Sequence, residues 1–256
     1  MIYRRLSIRL LKGSCRGGDG SSGITLSLAH TSLRLAIGFI IAGASAQLVS
    51  AQAFSNDADL KLFAVHINRT PPQSWPGYGV YLGNGLILTA EHVPGHFART
   101  KLHVVLAGQD LPAALVKEGG FEDVDLTLLS IDPTKLPVQL QMRRMPLCAT
   151  PPVAGETVVV ATPEGTARSH VLPQVMVPPN MRGRFDTLIG DVATTGNSGS
   201  GVFDAQKQCL LGIISRKISV TLKGNPLGAP ARTVDIAKYF VPASDIKAFI
   251  PDGVSF

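Results

Sequence analysis

Tyr78-Gly79-Val80-Tyr81-Leu82-Gly83-Asn84-Gly85-Leu86-Ile87-Leu88-Thr89-Ala90-Glu91-His92-Val93 is the stretch that decides the fold. Two short apolar runs, 78–82 and 86–89, flank Gly83-Asn84-Gly85. Glycine and asparagine tolerate the positive φ that a two-residue hairpin turn needs, so the pattern predicts paired antiparallel strands. A histidine follows the second strand almost at once. Outward from this hairpin, more short apolar or alternating runs occur at 62–68, 102–106, 113–117 and 125–131. A Pro-rich break with Arg143-Arg144 covers 132–152, and a second set follows at 156–161, 169–177, 187–191, 201–203, 210–215 and 232–241. Only 243–250 reads as a helix, stopped by Pro251. Many short strands spaced by turn residues suggest a sandwich or barrels, and two sets joined by a Pro-rich link suggest two barrels.

The chain has 256 residues, of which 45% are hydrophobic and 16% charged, which excludes a wholly disordered polypeptide. Its formal charge of +6 is unevenly placed. Residues 1–53 hold six Lys/Arg and one acid, leaving eighteen basic and seventeen acidic residues in the remainder. The folded part therefore has no polyanion-binding footprint, and nucleic acid is not an expected partner. Residues 35–56 carry no charge. They pass from Leu35-Ala36-Ile37-Gly38-Phe39-Ile40-Ile41 to A-x-A-like endings such as Ala44-Ser45-Ala46 and Ala51-Gln52-Ala53. This predicts a secretory leader removed between about residues 47 and 54. The alternative is a membrane anchor over 35–56, against which Gln47, Ser50 and Gln52 count. Export would leave Cys148 and Cys209 as an even pair, open to a disulfide or to two buried thiols.

Three motifs carry chemistry. They are the histidine in Thr89-Ala90-Glu91-His92-Val93, the acid opening Asp125-Leu126-Thr127-Leu128-Leu129, and the serine in Gly196-Asn197-Ser198-Gly199-Ser200-Gly201. Singly each has a bland reading: a surface or core histidine, a turn aspartate, a tight hairpin. Jointly they supply a nucleophile, a base that removes its proton at neutral pH, and a carboxylate that orients the base. The glycines let successive backbone N–H groups converge where an oxyanion develops. His66, His96, His103 and His170 read as surface or strand residues. His92 and His96 cannot share a helix face across Pro94-Gly95, and H-E-x-x-H and paired Cys motifs are absent, so no metal is expected. Glu122 and Asp123 crowd Asp125, and Asp123 is the fallback acid.

The order His92, Asp125, Ser198, with separations of 33 and 73 residues, resembles the chymotrypsin-fold serine peptidases. It is closest in spacing to the bacterial high-temperature-requirement peptidases, and Gly-Asn-Ser-Gly-Ser-Gly is also similar to the glutamyl endopeptidases and exfoliative toxins. The resemblance spans roughly residues 60–250. It implies an all-β fold of two antiparallel six-stranded barrels with a short C-terminal helix. The expected organisation is a leader over 1–53, a first barrel over 54–140 carrying His92 and Asp125, a link over 141–154, and a second barrel over 155–256 carrying Ser198.

It further implies a serine endopeptidase acting on polypeptides without a cofactor, and the leader adds export to that reading. His92, Asp125 and Ser198 would form the triad, and the Gly196 and Ser198 N–H groups the oxyanion hole. Ser215-Arg216-Lys217 would be the edge strand that pairs with substrate. Lys217 stands where trypsin-like enzymes have glycine. Val192, Thr195 and Ile214 would line the side-chain pocket, with Ala193 and Thr194. Asp191 lies one place off the arginine-reading position and is read as structural. A neutral pocket favours small or medium apolar side chains, because an unpaired buried charge costs several kcal/mol, roughly. Asn197 replaces the zymogen-switch aspartate, so N-terminal activation is not expected. Ile214 stands in place of the glutamate-reading histidine. No PDZ-like segment is expected after Ser198. The rival reading is a peptidase fold that captures peptides without turnover.

Overall fold

The computed structural model describes residues 56–72, 74, 76–95, 101–177, 179, 182, 186–190, 197–222 and 231–256. These belong to one compact unit. The leader of 1–53 lies outside the described residues. No described helix is long and apolar enough to cross a membrane.

The fold is mostly β and chymotrypsin-like. A seven-stranded sheet comes first, built from β1 (Ala64–Thr70), β2 (Gly77–Gly83), β3 (Leu86–Thr89), β4 (Lys101–Leu106), β5 (Gln109–Pro112), β6 (Ala114–Glu118) and β7 (Thr127–Ser130). Its order is β5-β4-β1-β2-β3-β7-β6, a curled half-barrel rather than the expected closed six-stranded one. The second unit is a closed barrel of β8 (Thr157–Ala161), β9 (Thr166–Leu172), β10 (Leu188–Gly190), β11 (Gly201–Asp204), β12 (Leu210–Leu222) and β13 (Arg232–Pro242), in the order β10-β13-β12-β11-β8-β9. Between them lies a short helix, α1 (Val138–Gln141). The C-terminal helix, α2 (Ala243–Phe249), follows β13 directly.

The expected hairpin forms. β2 and β3 pair antiparallel, and Asn84 and Gly85 take the positive φ values of 49° and 77° that the turn demands. Several boundaries differ for local reasons. The first strand begins at Ala64, not 62, because Asp57–Phe63 forms a 3-10 helix whose Asn56 side chain accepts from Asp59 N at 3.2 Å. β9 ends at Leu172, since Pro173 cannot donate to a ladder, and Gln174–Met176 turns into a 3-10 segment. β5 escapes the reading because only Leu111 of its four residues is buried.

The run Thr157-Val158-Val159-Val160-Ala161 shows why the two sheets adhere. Val158 and Val160 join Val171, Ile189, Val202, Leu211 and Phe240 inside the closed barrel. Val159 and Ala161 face the other way, into the larger core that includes Val65, Val80, Leu88 and Leu128. A strand buried on both faces loses the polar alternation of a half-exposed one. Cys148 and Cys209 form the disulfide, with Cα atoms 5.0 Å apart, beside a parallel bridge between Leu147 and Leu210. The link is thereby tied to the start of β12.

Candidate active site

His92 stands in the turn just after β3, and Asp125 just before β7. These two strands are hydrogen-bonded neighbours, with Thr89 opposite Thr127. Residues remote in sequence thus emerge side by side from one edge. Asp125 is 2% exposed, and its carboxylate is fully engaged. Oδ1 accepts from Glu91 N at 2.8 Å and from His92 N at 3.4 Å. His92 Nδ1 lies 3.1 Å from both carboxylate oxygens. Ser215 Oγ donates to Oδ2. Burial pushes the carboxyl upward, but the hydrogen bonds from His92 and Ser215 outweigh it and hold Asp125 below the ordinary aspartate value. Asp125 is therefore an anion at neutral pH. Asp123, the fallback acid, is exposed.

Ser198 sits in a turn ahead of β11, closed by Ser200 N donating to Asn197 O at 3.0 Å. Gly199 has φ +87°, and a Cβ built there would overlap the carbonyl oxygen of Tyr78. Only glycine allows this approach. The turn is held from both units. Tyr78 N on β2 donates to Ser198 O at 3.2 Å, while Gly199 N and Ile214 O pair at 2.8 Å. Ser198 Oγ donates to the Ser215 carbonyl at 3.3 Å. Ser215 thus touches both halves, its hydroxyl on Asp125 and its carbonyl at Ser198. The imidazole is engaged by Asp125, whereas the serine hydroxyl rests on Ser215.

A second layer covers the histidine. The Phe121 ring meets His92 edge-on, at 5.6 Å between centroids and 88°. The Arg216 guanidinium lies 4.1 Å from the Phe121 ring centroid, donates to Phe121 O at 2.5 Å, and reaches Ser215 Oγ at 3.3 Å through Nε. A small cavity of about 50 Å³ adjoins, lined in part by Glu122, Asp125, Arg216, Tyr239 and Asp245. Neither Phe121 nor the side-chain bond of Ser215 is signalled in the sequence, since Phe121 meets His92 from a separate loop of the first sheet and Ser215 reaches Asp125 from the barrel.

The remaining expected residues are placed as follows. Ile214 is buried in the barrel's apolar interior beside Phe240 and Val202. The Lys217 ammonium lies 3.2 Å from Asp235 Oδ2 on β13. Val192, Thr195 and Gly196, with Asp191, Ala193 and Thr194, fall outside the described residues. Among the described residues, one group converges as metal ligands would, Cys148, Asp204 and Cys209, but the two sulfurs are spent on each other.

Residues 77–213 match the trypsin-like peptidase domain. The chain belongs to that family. No curated protein sequence matches it. Among solved structures, the Rv3671c protease of M. tuberculosis in its active form is 15% identical, with 75% of this chain and 81% of that one covered, at a TM-score of 0.51. The serine endoprotease of Yersinia pestis is 19% identical over 79% of this chain and 69% of that one, at 0.51. An HtrA-type protease, AlgW, with a tripeptide is 19% identical over 77% and 62%, at 0.53. The sequence resemblance to bacterial high-temperature-requirement peptidases therefore extends to the fold. Membership makes the chain a trypsin-like peptidase domain, and the family acts on polypeptides.

Proposed function

We propose that this protein is an exported serine endopeptidase with Ser198 as nucleophile, His92 as general base and Asp125 as the group that orients it. The observation that carries the reading is the buried, ionised Asp125 clamped to His92 Nδ1. A carboxylate there keeps the imidazole proton on Nδ1 and leaves Nε2 free to take a proton. A substrate N–H arriving at the Ser215 carbonyl displaces the Ser198 hydroxyl, which swings to His92 and attacks the peptide carbonyl. The N–H groups of Gly196 and Ser198 receive the oxyanion. His92 then protonates the leaving amine and activates the water that hydrolyses the acyl-enzyme.

The neutral residues Val192 and Thr195 select a small or medium apolar side chain, whereas Ile214, expected beside them, is packed into the barrel interior. A peptide-library profile dominated by Arg or Lys would assign that role to Asp191 instead. The Cys148–Cys209 disulfide supports export, because cytosolic thiols are kept reduced. Fluorophosphonate labelling tests the chemistry. The wild-type protein should form an adduct on Ser198, and Ser198→Ala should form none. A folded wild-type protein that stays unlabelled would favour peptide capture without turnover.

A further inference from the structure

A strand sends successive side chains to opposite faces, but β12 breaks that rule beside the site. Ile214 stands opposite Phe240 and Arg216 opposite Tyr239, so Ser215 is an extra residue, a bulge in the ladder. The bulge lets two neighbouring side chains meet. Arg216 Nε lies 3.3 Å from Ser215 Oγ, and Ser215 Oγ donates to Asp125 Oδ2. The guanidinium then crosses to the first sheet. It donates to Phe121 O at 2.5 Å and stacks 4.1 Å from the centre of the Phe121 ring, which itself meets His92 edge-on at 5.6 Å.

Arg216 therefore reaches His92 by two routes, one through Ser215 and Asp125 and one through Phe121. On the first, a guanidinium can only donate, so Ser215 Oγ accepts from it and turns its own proton to Asp125. Accepting from a cation polarises the O–H and strengthens that donation. On the second, a planar cation on the ring face holds a phenylalanine that is 41% exposed against the imidazole. Glu122 and Asp123 from the loop ahead of β7, Asp125 itself, Tyr239 of β13 and Asp245 of α2 line the cavity that Arg216 adjoins. Their carboxylates favour a guanidinium at this place.

We propose that Arg216 is a positioning residue for the triad: it fixes the Ser215 hydroxyl on Asp125 and the Phe121 ring on His92, and its permanent charge disfavours a second positive charge on the imidazole. This deepens the peptidase reading and rests on it. Arg216 acts through Ser215 and Phe121 rather than on the reacting atoms. The base is thereby held in line with Ser198 and kept neutral at lower pH than it would be without the guanidinium. A lysine would supply the charge but neither the planar face for Phe121 nor the fixed Nε donor for Ser215.

The test uses the full-length protein and a small fluorophosphonate, whose labelling rate reports Ser198 and His92 without filling peptide subsites. Rates are taken between about pH 5 and pH 9, where the acid limb follows the protonation of the base. Arg216→Met keeps the stem and removes the charge and the donors. It should label roughly five- to fiftyfold more slowly at neutral pH, and the midpoint of its acid limb should rise by about 0.5–1 unit, since losing a cation favours the imidazolium. Arg216→Lys should be slowed alike with its midpoint close to wild type, because the charge remains. Phe121→Ala should also be slowed, and the double variant Arg216→Met/Phe121→Ala should lose less than the product of the two single losses, because they share a contact. Circular dichroism checks each fold, and Arg216→Gln replaces Arg216→Met if the latter does not fold. Labelling of the variants within twofold of wild type, an unmoved midpoint on loss of the charge, or a raised KM with unchanged kcat on a cleaved peptide overturns the positioning role and leaves the peptidase reading intact. A folded wild-type protein that stays unlabelled at every pH overturns both.

Discussion

Replacing Asp125 by asparagine tests the clamp on His92 with almost no change of shape. The backbone N–H groups of Glu91 and His92 both donate to Oδ1 and can only donate. The amide oxygen must therefore take the Oδ1 place, which forces the NH2 group to the Oδ2 place. It then faces Ser215 Oγ and His92 Nδ1. The serine hydroxyl can rotate and accept. The imidazole can accept only by moving its proton from Nδ1 to Nε2, where it blocks receipt of the Ser198 proton. The wrong tautomer costs about 10⁴-fold in kcat, or about 5 kcal/mol of transition-state stabilisation. The assay is kcat/KM on a peptide chosen from a library, with circular dichroism checking the fold. Asp125→Asn within tenfold of wild type would refute the assignment of Asp125 as the orienting group.

Removing the disulfide with Cys148→Ser and Cys209→Ser opens a loop of sequence separation 61 and should lower stability by about 4 kcal/mol in the chain-entropy model, read from urea titrations. Gly199→Ala must push the turn off Tyr78 and holds alanine at φ +87°; a loss of about 3 kcal/mol is expected, with cleavage reduced far more than secondary structure. Asp204 is raised by burial but held at about 2 by the Lys207 ammonium and by the backbone N–H groups of Lys207 and Gln206. A depressed carboxyl stabilises the fold above its unfolded value of 3.8 and loses that contribution as pH falls through about 2. The stability advantage of wild type over Asp204→Asn should therefore shrink between pH 4 and pH 2 in acid-unfolding curves, and an advantage independent of pH would contradict it.

Much of the fold is written in local patterns. Gly83-Asn84-Gly85 announces its hairpin because the turn needs positive φ, and the alternating or apolar runs announce most of the strands. The far half of β12 is harder to read. The polar Ser215-Arg216-Lys217 ends the apolar run, although Ile218, Val220 and Leu222 continue a two-residue alternation with Ser219 and Thr221. β5 shows a single buried side chain and no period at all. At the site, spacing and motif suffice to single out His92 and Asp125, which adjoining strands bring together. Ser215 reads as a backbone contact, yet its hydroxyl reaches Asp125 ninety residues away. Phe121 and Arg216 give no local signal because their contact exists only after the two sheets meet.

That meeting has a bearing on when the proposed site comes into being. The turn bearing Ser198 is hydrogen-bonded to Tyr78 on one side and to Ile214 on the other, so each sheet supplies one of its supports. Tyr78 leaves the ribosome long before Ser198, so a partly made chain holds His92 and Asp125 without the serine proposed as their partner. In a chain whose sheets have not docked, the proposed nucleophile turn lacks the support of Tyr78.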